Sequence, residues 1–480
     1  MAIVSPQQQV SLAHRSEAAQ SLIKLLSPLL AADADSAQAT AQVAQPGDTL
    51  LQAISCKEIL SAIETLVSTL CPENSIFATF HDGKVHDPLG GGSYAFQKDL
   101  VEPVLLALLN DEILANDKRE TLANTLNRGV TSSGLPSLQT QLPTRPIVIH
   151  AGAQPNNSPH AGTLVVFCYA FCFAQQVKKR MEDVAANADL QLPSVTVEVT
   201  FMDTAPVIGH EFDKNQIQYQ KSYREVPDNL DVRMLDYKRV LDLLSKWSDI
   251  DFRIVYQSEF FSHPSMPSIL GYIIANHETL GPQLSPKHGT LALRAACPVS
   301  GCGLAEKHGR LNMYSIDTSL ESYVMDASAT DAIITFHCPF HGPHTISLSK
   351  PGELSRLEAN APTRNLIRSM RHLLDKSVHH VRITGSDYAG MYQEVFLYRP
   401  LANWSSTTGL ATGRTPHILY APLVVDWSGA KLSKSLYVRE GGYETMELFG
   451  TDGLCSFAQL KRHFNDDGQE GLRRLWNEVK

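Results

Sequence analysis

At 480 residues, 43% of them hydrophobic and 19% charged, the chain has the composition of a globular protein with room for a sizeable core and two or three structural units. Its formal net charge of −9 excludes a general nucleic-acid coat, so an RNA partner would have to meet local basic patches such as Lys178-Lys179-Arg180, Lys461-Arg462 or Arg473-Arg474. Such patches are more often solvated helix faces. Eight cysteines without regular spacing fit a reducing compartment, and the opening residues lack the apolar run of a secretory signal. The most apolar stretch, Leu164 to Ala174, falls short of the roughly 20 residues a bilayer span needs and reads as a buried core helix. A cytoplasmic protein without a membrane partner is expected.

Residues 1–140 read as a mostly helical N-terminal region. A leucine-rich helix near 21–30 is interrupted by Pro28. Ser55-Cys56-Lys57-Glu58 forms a capping box, followed at helical spacing by Ile59, Leu60, Ile63, Leu66, Val67 and Leu70. Gly90-Gly91-Gly92 reads as a loop, and Pro143 to Pro146 as a junction. Beyond it the pattern predicts a strand at Ile147–Ile149, a loop through Pro155 and Pro159, and a long apolar helix to Arg180 with Cys168 and Cys172 in its core face. Further strands are predicted at Val195–Met202, Phe252–Tyr256, Val378–Ile383 and Ile418–Val425. Strands alternating with helices imply parallel pairing in a doubly wound α/β sheet, where ligands bind beyond the carboxyl ends of strands.

Three segments fall at such ends. His160-Ala161-Gly162-Thr163 opens the long helix, whose N-terminus is an anion site with an imidazole added. Gly385-Ser386-Asp387 follows a strand. Lys431-Leu432-Ser433-Lys434-Ser435 supplies two ammonium groups that can neutralise a polyphosphate. Between the halves of the sheet, Cys297-x4-Cys302 and Cys338-x2-His341 form paired knuckles among glycines and prolines, a donor set suited to tetrahedral Zn²⁺. His308, His337 and His344 are alternative fourth ligands. A structural site is expected, since no position is left open for water. Near the C-terminus, Asp466-Asp467-Gly468-Gln469-Glu470 reads either as helix capping or as a carboxylate pair, Asp466 and Glu470, able to hold a guanidinium.

The stretch ending in His160-Ala161-Gly162-Thr163 and the Lys431–Ser435 segment resemble the HIGH and KMSKS signatures of class I aminoacyl-tRNA synthetases. Thr163 stands in place of the final histidine and Leu432 in place of methionine. The cysteine-bearing insertion resembles that of the class I lysyl-tRNA synthetase branch. The short segment after Ser435 leaves little room for an anticodon-reading domain. With its DDxxE motif at Asp466, Asp467 and Glu470, the chain resembles the fungal arginine-containing cyclodipeptide synthases. The resemblance implies a Rossmann-like class I catalytic fold in two halves, 141–290 and 351–450, around a zinc-ribbon insertion at 291–350, with a helical tail at 451–480. It implies condensation of an arginyl group from Arg-tRNA with a second amino acid, from aminoacyl-tRNA or activated in situ, into a cyclic dipeptide of secondary metabolism. His160, Gly162, Thr163, Gly385, Asp387, Lys431, Ser433, Lys434 and Ser435 would then hold the tRNA end, or ATP if activation is retained. Asp203 would bind an α-amine, unless it caps the next turn, while Asp466, Asp467 and Glu470 would serve catalysis. The expected partners are two aminoacyl-tRNAs and free amino acids, not DNA. The competing expectations are a class I ligase for Arg or Lys and a non-catalytic tRNA-binding paralogue.

Overall fold

The structure, a computed structural model, describes residues 100–116, 138, 141–188, 190–315, 332–389, 416–424 and 456–480, with single positions between 393 and 404. All belong to one compact unit formed by His86–Asn116 and Pro136–Lys480. The helix near 21–30, the capping box at Ser55, the loop at Gly90 and the Lys431–Ser435 segment lie outside the described residues.

In chain order the main elements are α1 (Val101–Asn116), β1 (Ile147–Ala153), α2 (Ala161–Ala188), β2 (Val195–Phe201), β3 (Pro206–Lys214), β4 (Ile217–Ser222), α3 (Pro227–Ser248) and β5 (Phe252–Tyr256). Short helices Gln257–Phe261, Met266–Ala275 and His277–Leu284 lead to β6 (Leu293–Ala295), β7 (Ala305–Glu306), β8 (Met313–Ser315), β9 (Ile333–Cys338) and β10 (Gly342–Ser347). β11 (Leu357–Ala359), α4 (Ala361–Leu374), β12 (His379–Gly385), β13 (His417–Ala421), α5 (Phe457–Phe464) and α6 (Gln469–Val479) complete the set.

The core is a five-stranded parallel sheet of order β13-β12-β1-β2-β5. This mixed α/β arrangement is compatible with a Rossmann-like fold. The central strand β1 (Ile-Val-Ile-His-Ala-Gly-Ala) is buried at every residue but Gly152, the pattern of a parallel strand covered on both faces. The chain moves outward from β1 to β2 and β5, then reverses to β12 and β13. Because parallel crossovers are right-handed, that reversal puts the connecting helices on opposite faces and makes the gap between β1 and β12 the topological switch point.

α2 fills one face. Its Phe167, Cys168, Ala170 and Phe171 are buried, so a helix long and apolar enough to cross a membrane is spent on the sheet instead. Tyr237 of α3 packs edge-on against Phe201 of β2 at 4.9 Å and Phe167 of α2 at 6.3 Å. On the other face α4 begins with Asn360, whose side chain accepts from the Thr363 amide at 3.0 Å, an N-cap.

The predicted strands recur as β1, β2, β5, β12 and β13, with ends moved by a few residues. The antiparallel β3-β4-β7 sheet was not anticipated. Its hairpin turns at Asn215 and Gln216, both at positive φ (53° and 61°), a primed turn made without the glycine that would have announced it. β8-β9-β10 forms another small sheet in the insertion, and β6 pairs with β11 just beyond it.

Candidate functional site

Two of the three segments expected at strand ends flank the switch point: His160 follows β1, and Gly385, the last residue of β12, leads into Ser386-Asp387. His160 ends the loop that carries the chain onto α2. Its carbonyl accepts from the amides of Thr163 and Leu164 at 2.9 and 3.0 Å, and its Nδ1 accepts from the Gly162 amide at 3.1 Å. The imidazole thus folds over the positive end of the helix. A Cβ on Gly162 would lie 3.0 Å from His160 Cε1, so this close approach depends on glycine. Thr163 is half-buried in the same turn. Across the crevice the Asp387 carboxylate lies over Gly385, where a Cβ would collide with it. Asp203, at the end of β2, is buried and receives Ser258 N at 3.1 Å and Ser258 Oγ at 2.5 Å. Burial raises its pKa despite those bonds, and the carboxyl ties β2 to the helix after β5.

Three residues that the sequence did not single out as a group fix the loop before His160. Ser158 Oγ donates to Asp236 Oδ2 on α3 at 2.6 Å and accepts from the Ala458 amide at 2.9 Å. Lys461 Nζ reaches the other oxygen of Asp236 at 2.6 Å. Beside them the Phe457 amide donates to Pro159 O at 2.7 Å, and Tyr237 Oη to Gln154 O at 3.1 Å. No local spacing signals this triad, because its members come from three elements distant in sequence.

The DDxxE turn follows α5 directly. Gly468, at φ 89°, packs on Phe457, whose ring occupies the space a Cβ would need. Asp466 accepts from the Gly468 and Glu470 amides at 2.7 and 2.9 Å, so it braces the turn into α6 without being its N-cap, which is Gly468. Asp467 pairs with Arg239, and Glu470 with Arg474 at 2.9 Å, all on the exposed surface. The basic patches are largely engaged as well. Lys178 pairs with Asp249 at 2.7 Å, Arg180 with Glu102 at 2.7 Å, and Arg473 stacks on Trp247 at 3.9 Å.

The four knuckle residues do come together. Cys297, Cys302, Cys338 and His341 bring their ligand atoms within 4.8 Å of one another. Cys302 Sγ lies 3.6 Å from Cys338 Sγ, and His341 Nδ1 lies 3.5 Å from the sulfurs of Cys297 and Cys338. A tetrahedral ion with Zn–S of about 2.3 Å and Zn–N of about 2.0–2.1 Å sets edges of about 3.6–3.8 Å, so these donors fit a metal ion. Burial raises the Cys297 thiol. Burial acts the same way on Cys338, but the amides of Phe340 and His341 and the His341 ring outweigh it and favour the thiolate a metal requires. The alternative ligands are engaged elsewhere. His308 stacks on His288 at 4.1 Å, His337 meets Tyr219 Oη at 3.5 Å, and His344 Nε2 lies 3.4 Å from Ala295 O.

No protein-family model matches the chain, and no curated protein matches it.

Proposed function

We propose that this protein is a tRNA-dependent aminoacyltransferase of the arginine-containing cyclodipeptide synthase type, on a class I synthetase-like core with a structural zinc in the knuckle site. One observation carries the reading. His160 and Gly385–Asp387 flank the switch point, and the DDxxE turn packs on α5, whose first amides bond to the loop just before His160. α5 thus links the DDxxE turn to the loop before His160, while Lys431–Ser435 lies outside the described residues.

In this reading His160 and the amino end of α2 hold a phosphate or the terminal adenosine of tRNA, and Lys431 and Lys434 add charge to the same anion site. The neutral α-amine of one aminoacyl group attacks the ester carbonyl of the other. The ester C–O bond to the tRNA breaks, and the departing 3′-terminal oxygen takes up the proton that the amine gives away. Repetition within the bound dipeptidyl ester closes the ring. With two tRNA esters as donors, two amides form and two esters break, and no further activation is consumed. Asp467 and Glu470 already hold the guanidinium groups of Arg239 and Arg474, the chemistry an arginyl side chain presents. Asp466 shapes the turn that carries them. The zinc, when bound, supplies a crosslink between two hairpins and no chemistry.

The test is mass spectrometry of small molecules after incubation with charged tRNA, with and without ATP and RNase. An Arg-containing diketopiperazine that vanishes with RNase is expected. Its absence for every second amino acid would sink the assignment. A class I ligase for Arg or Lys is the second reading, favoured by Asp466 and Glu470 being engaged within the tail itself, on the Gly468 and Glu470 amides and on Arg474. ATP–pyrophosphate exchange with one free amino acid, and stable charging without dipeptide, would establish it instead.

A further inference from the structure

A second set of nitrogen donors lies between the sheet and α4, apart from the crevice and the knuckles. His150 stands mid-way along β1, His380 near the start of β12, and His372 in the last turn of α4. Their ligand atoms lie within 4.8 Å of one another. The outer nitrogens of two rings are fixed by carboxylates. His150 Nδ1 is 3.1 Å from Glu198 Oε1, and His380 Nε2 is 3.0 Å from Asp375 Oδ2. The second oxygen of Glu198 is held by Arg253.

Counting hydrogens exposes a conflict. An ionised carboxylate only accepts, so each outer nitrogen carries its ring's N–H. A neutral imidazole has one N–H, which leaves bare lone pairs on His150 Nε2 and His380 Nδ1. Those two atoms face each other at 2.8 Å. Two lone pairs at that distance repel unless a cation sits between them, either a third proton or a metal ion. The third nitrogen decides between them. The His372 ring stacks on both others, with centroids 4.4 Å from His150 and 4.2 Å from His380, and brings a nitrogen within 4.8 Å of theirs, a third donor for which a shared proton has no use. A metal ion needs such a third donor, and carboxylates on the outer nitrogens are how metal-bound histidines are oriented.

We propose that His150, His372 and His380 form a second metal site, oriented by Glu198 and Asp375, for a late first-row transition ion of the Zn²⁺ or Cu²⁺ class. The three donors are nitrogens, which disfavours Mg²⁺ and Ca²⁺. To admit the ion, the stacked His372 ring must turn its nitrogen inward, and the facing nitrogens must part from 2.8 Å to about 3.3 Å, the tetrahedral edge for Zn–N bonds of about 2.0–2.1 Å. His372, Asp375 and His380 line a small cleft together with Arg145. Arg253, Arg368 and Arg371 surround the carboxylates and oppose a doubly charged ion, so this site binds more weakly than the thiolate site and loses its metal first to a chelator.

Cobalt(II) titration of the full chain tests the proposal, since the two donor sets differ in colour. The expected result is two ions per chain, one with thiolate charge-transfer bands and one with ligand-field bands alone. The double variant Cys297→Ser, Cys338→Ser should keep the second ion and lose the first. Asp375→Asn should weaken the second roughly 10- to 100-fold and leave the first unchanged. A single equivalent in the wild type, with thiolate bands only, overturns the proposal whether or not the variants fold. So does nitrogen-15 NMR of the zinc-saturated chain if it finds a proton between His150 Nε2 and His380 Nδ1.

Discussion

Gly162 illustrates how a residue can be judged by opposing effects. Alanine favours a helix over glycine by about 1 kcal/mol, so Gly162→Ala should leave the melting temperature unchanged or higher. Yet its Cβ would press on His160, 3.0 Å away, and displace the ring from the amino end of α2. Binding of ATP or of the aminoacyl-tRNA end should therefore weaken roughly tenfold, about 1.4 kcal/mol, as read by titration calorimetry. An unchanged affinity would remove His160 from the anion site. The acidic turn separates in the same manner. Asp467 and Glu470 make exposed ion pairs, so Asp467→Asn and Glu470→Gln should alter stability by less than about 1 kcal/mol while cutting diketopiperazine formation at least a hundredfold. Asp466→Ala should instead cost about 1 kcal/mol in denaturant unfolding, through its lost bonds to the Gly468 and Glu470 amides.

Among the elements, α1 is tied to the sheet by the Glu112 carboxylate, beside the pairs of Glu102 with Arg180 and Asp111 with His417. Glu112 accepts from the Thr144 amide at 2.8 Å and hydroxyl at 2.8 Å, the Arg145 amide at 2.9 Å and His379 Nε2 at 2.6 Å, joining α1 to the chain before β1 and to the start of β12. Burial alone would raise its pKa, but these donors hold it below the ordinary 4.5. A carboxyl depressed on folding stabilises fully above its unfolded value, and the contribution disappears as pH falls through the folded one. The wild type should thus lose stability below about pH 4.5 more steeply than Glu112→Gln, and the two curves should converge in acid. At neutral pH the substitution should cost about 2 kcal/mol, because a charge-assisted acceptor becomes an amide with a misplaced donor. Parallel curves from pH 7 to 3 would refute this role. α5 is an element of the same kind, tied to the loop before His160 by Ser158, Asp236 and Lys461.

For the molecule as a whole, the parallel sheet and the knuckle insertion rest on different physics. The sheet has a continuous apolar core, including Ile147, Ile149, Val197, Val199, Val381 and Ile383. The knuckles draw on turns between short strands, so a bound ion should carry much of their order. Chelation should destabilise the insertion by about 2.7 kcal/mol relative to protein held at a free zinc concentration a hundredfold above Kd. Hydrogen exchange should quicken across residues 291–350 and stay slow in β1, β2 and β12. Equal protection in both states would mean that the four ligands need no metal to hold the fold.

Some of this was legible in the sequence and some was not, for identifiable reasons. Strand positions such as Ile147–Ile149 were readable because buried parallel strands are short apolar runs bounded by breaks, and the close Cys and His spacings announced the knuckles. The β3–β4 hairpin escaped because its turn uses Asn215 and Gln216 rather than glycine. Chain order could not reveal that β12 lies beside β1, and that adjacency sets Gly385 across from His160 and His380 against His150. Likewise only folding joins Ser158, Asp236 and Lys461, or chooses His341 over three other histidines. A sequence by itself determines which segments must be buried and which residues can bind. Which of those residues meet is decided by the tertiary structure, because contacts between distant segments follow from strand order and handedness rather than from any local spacing.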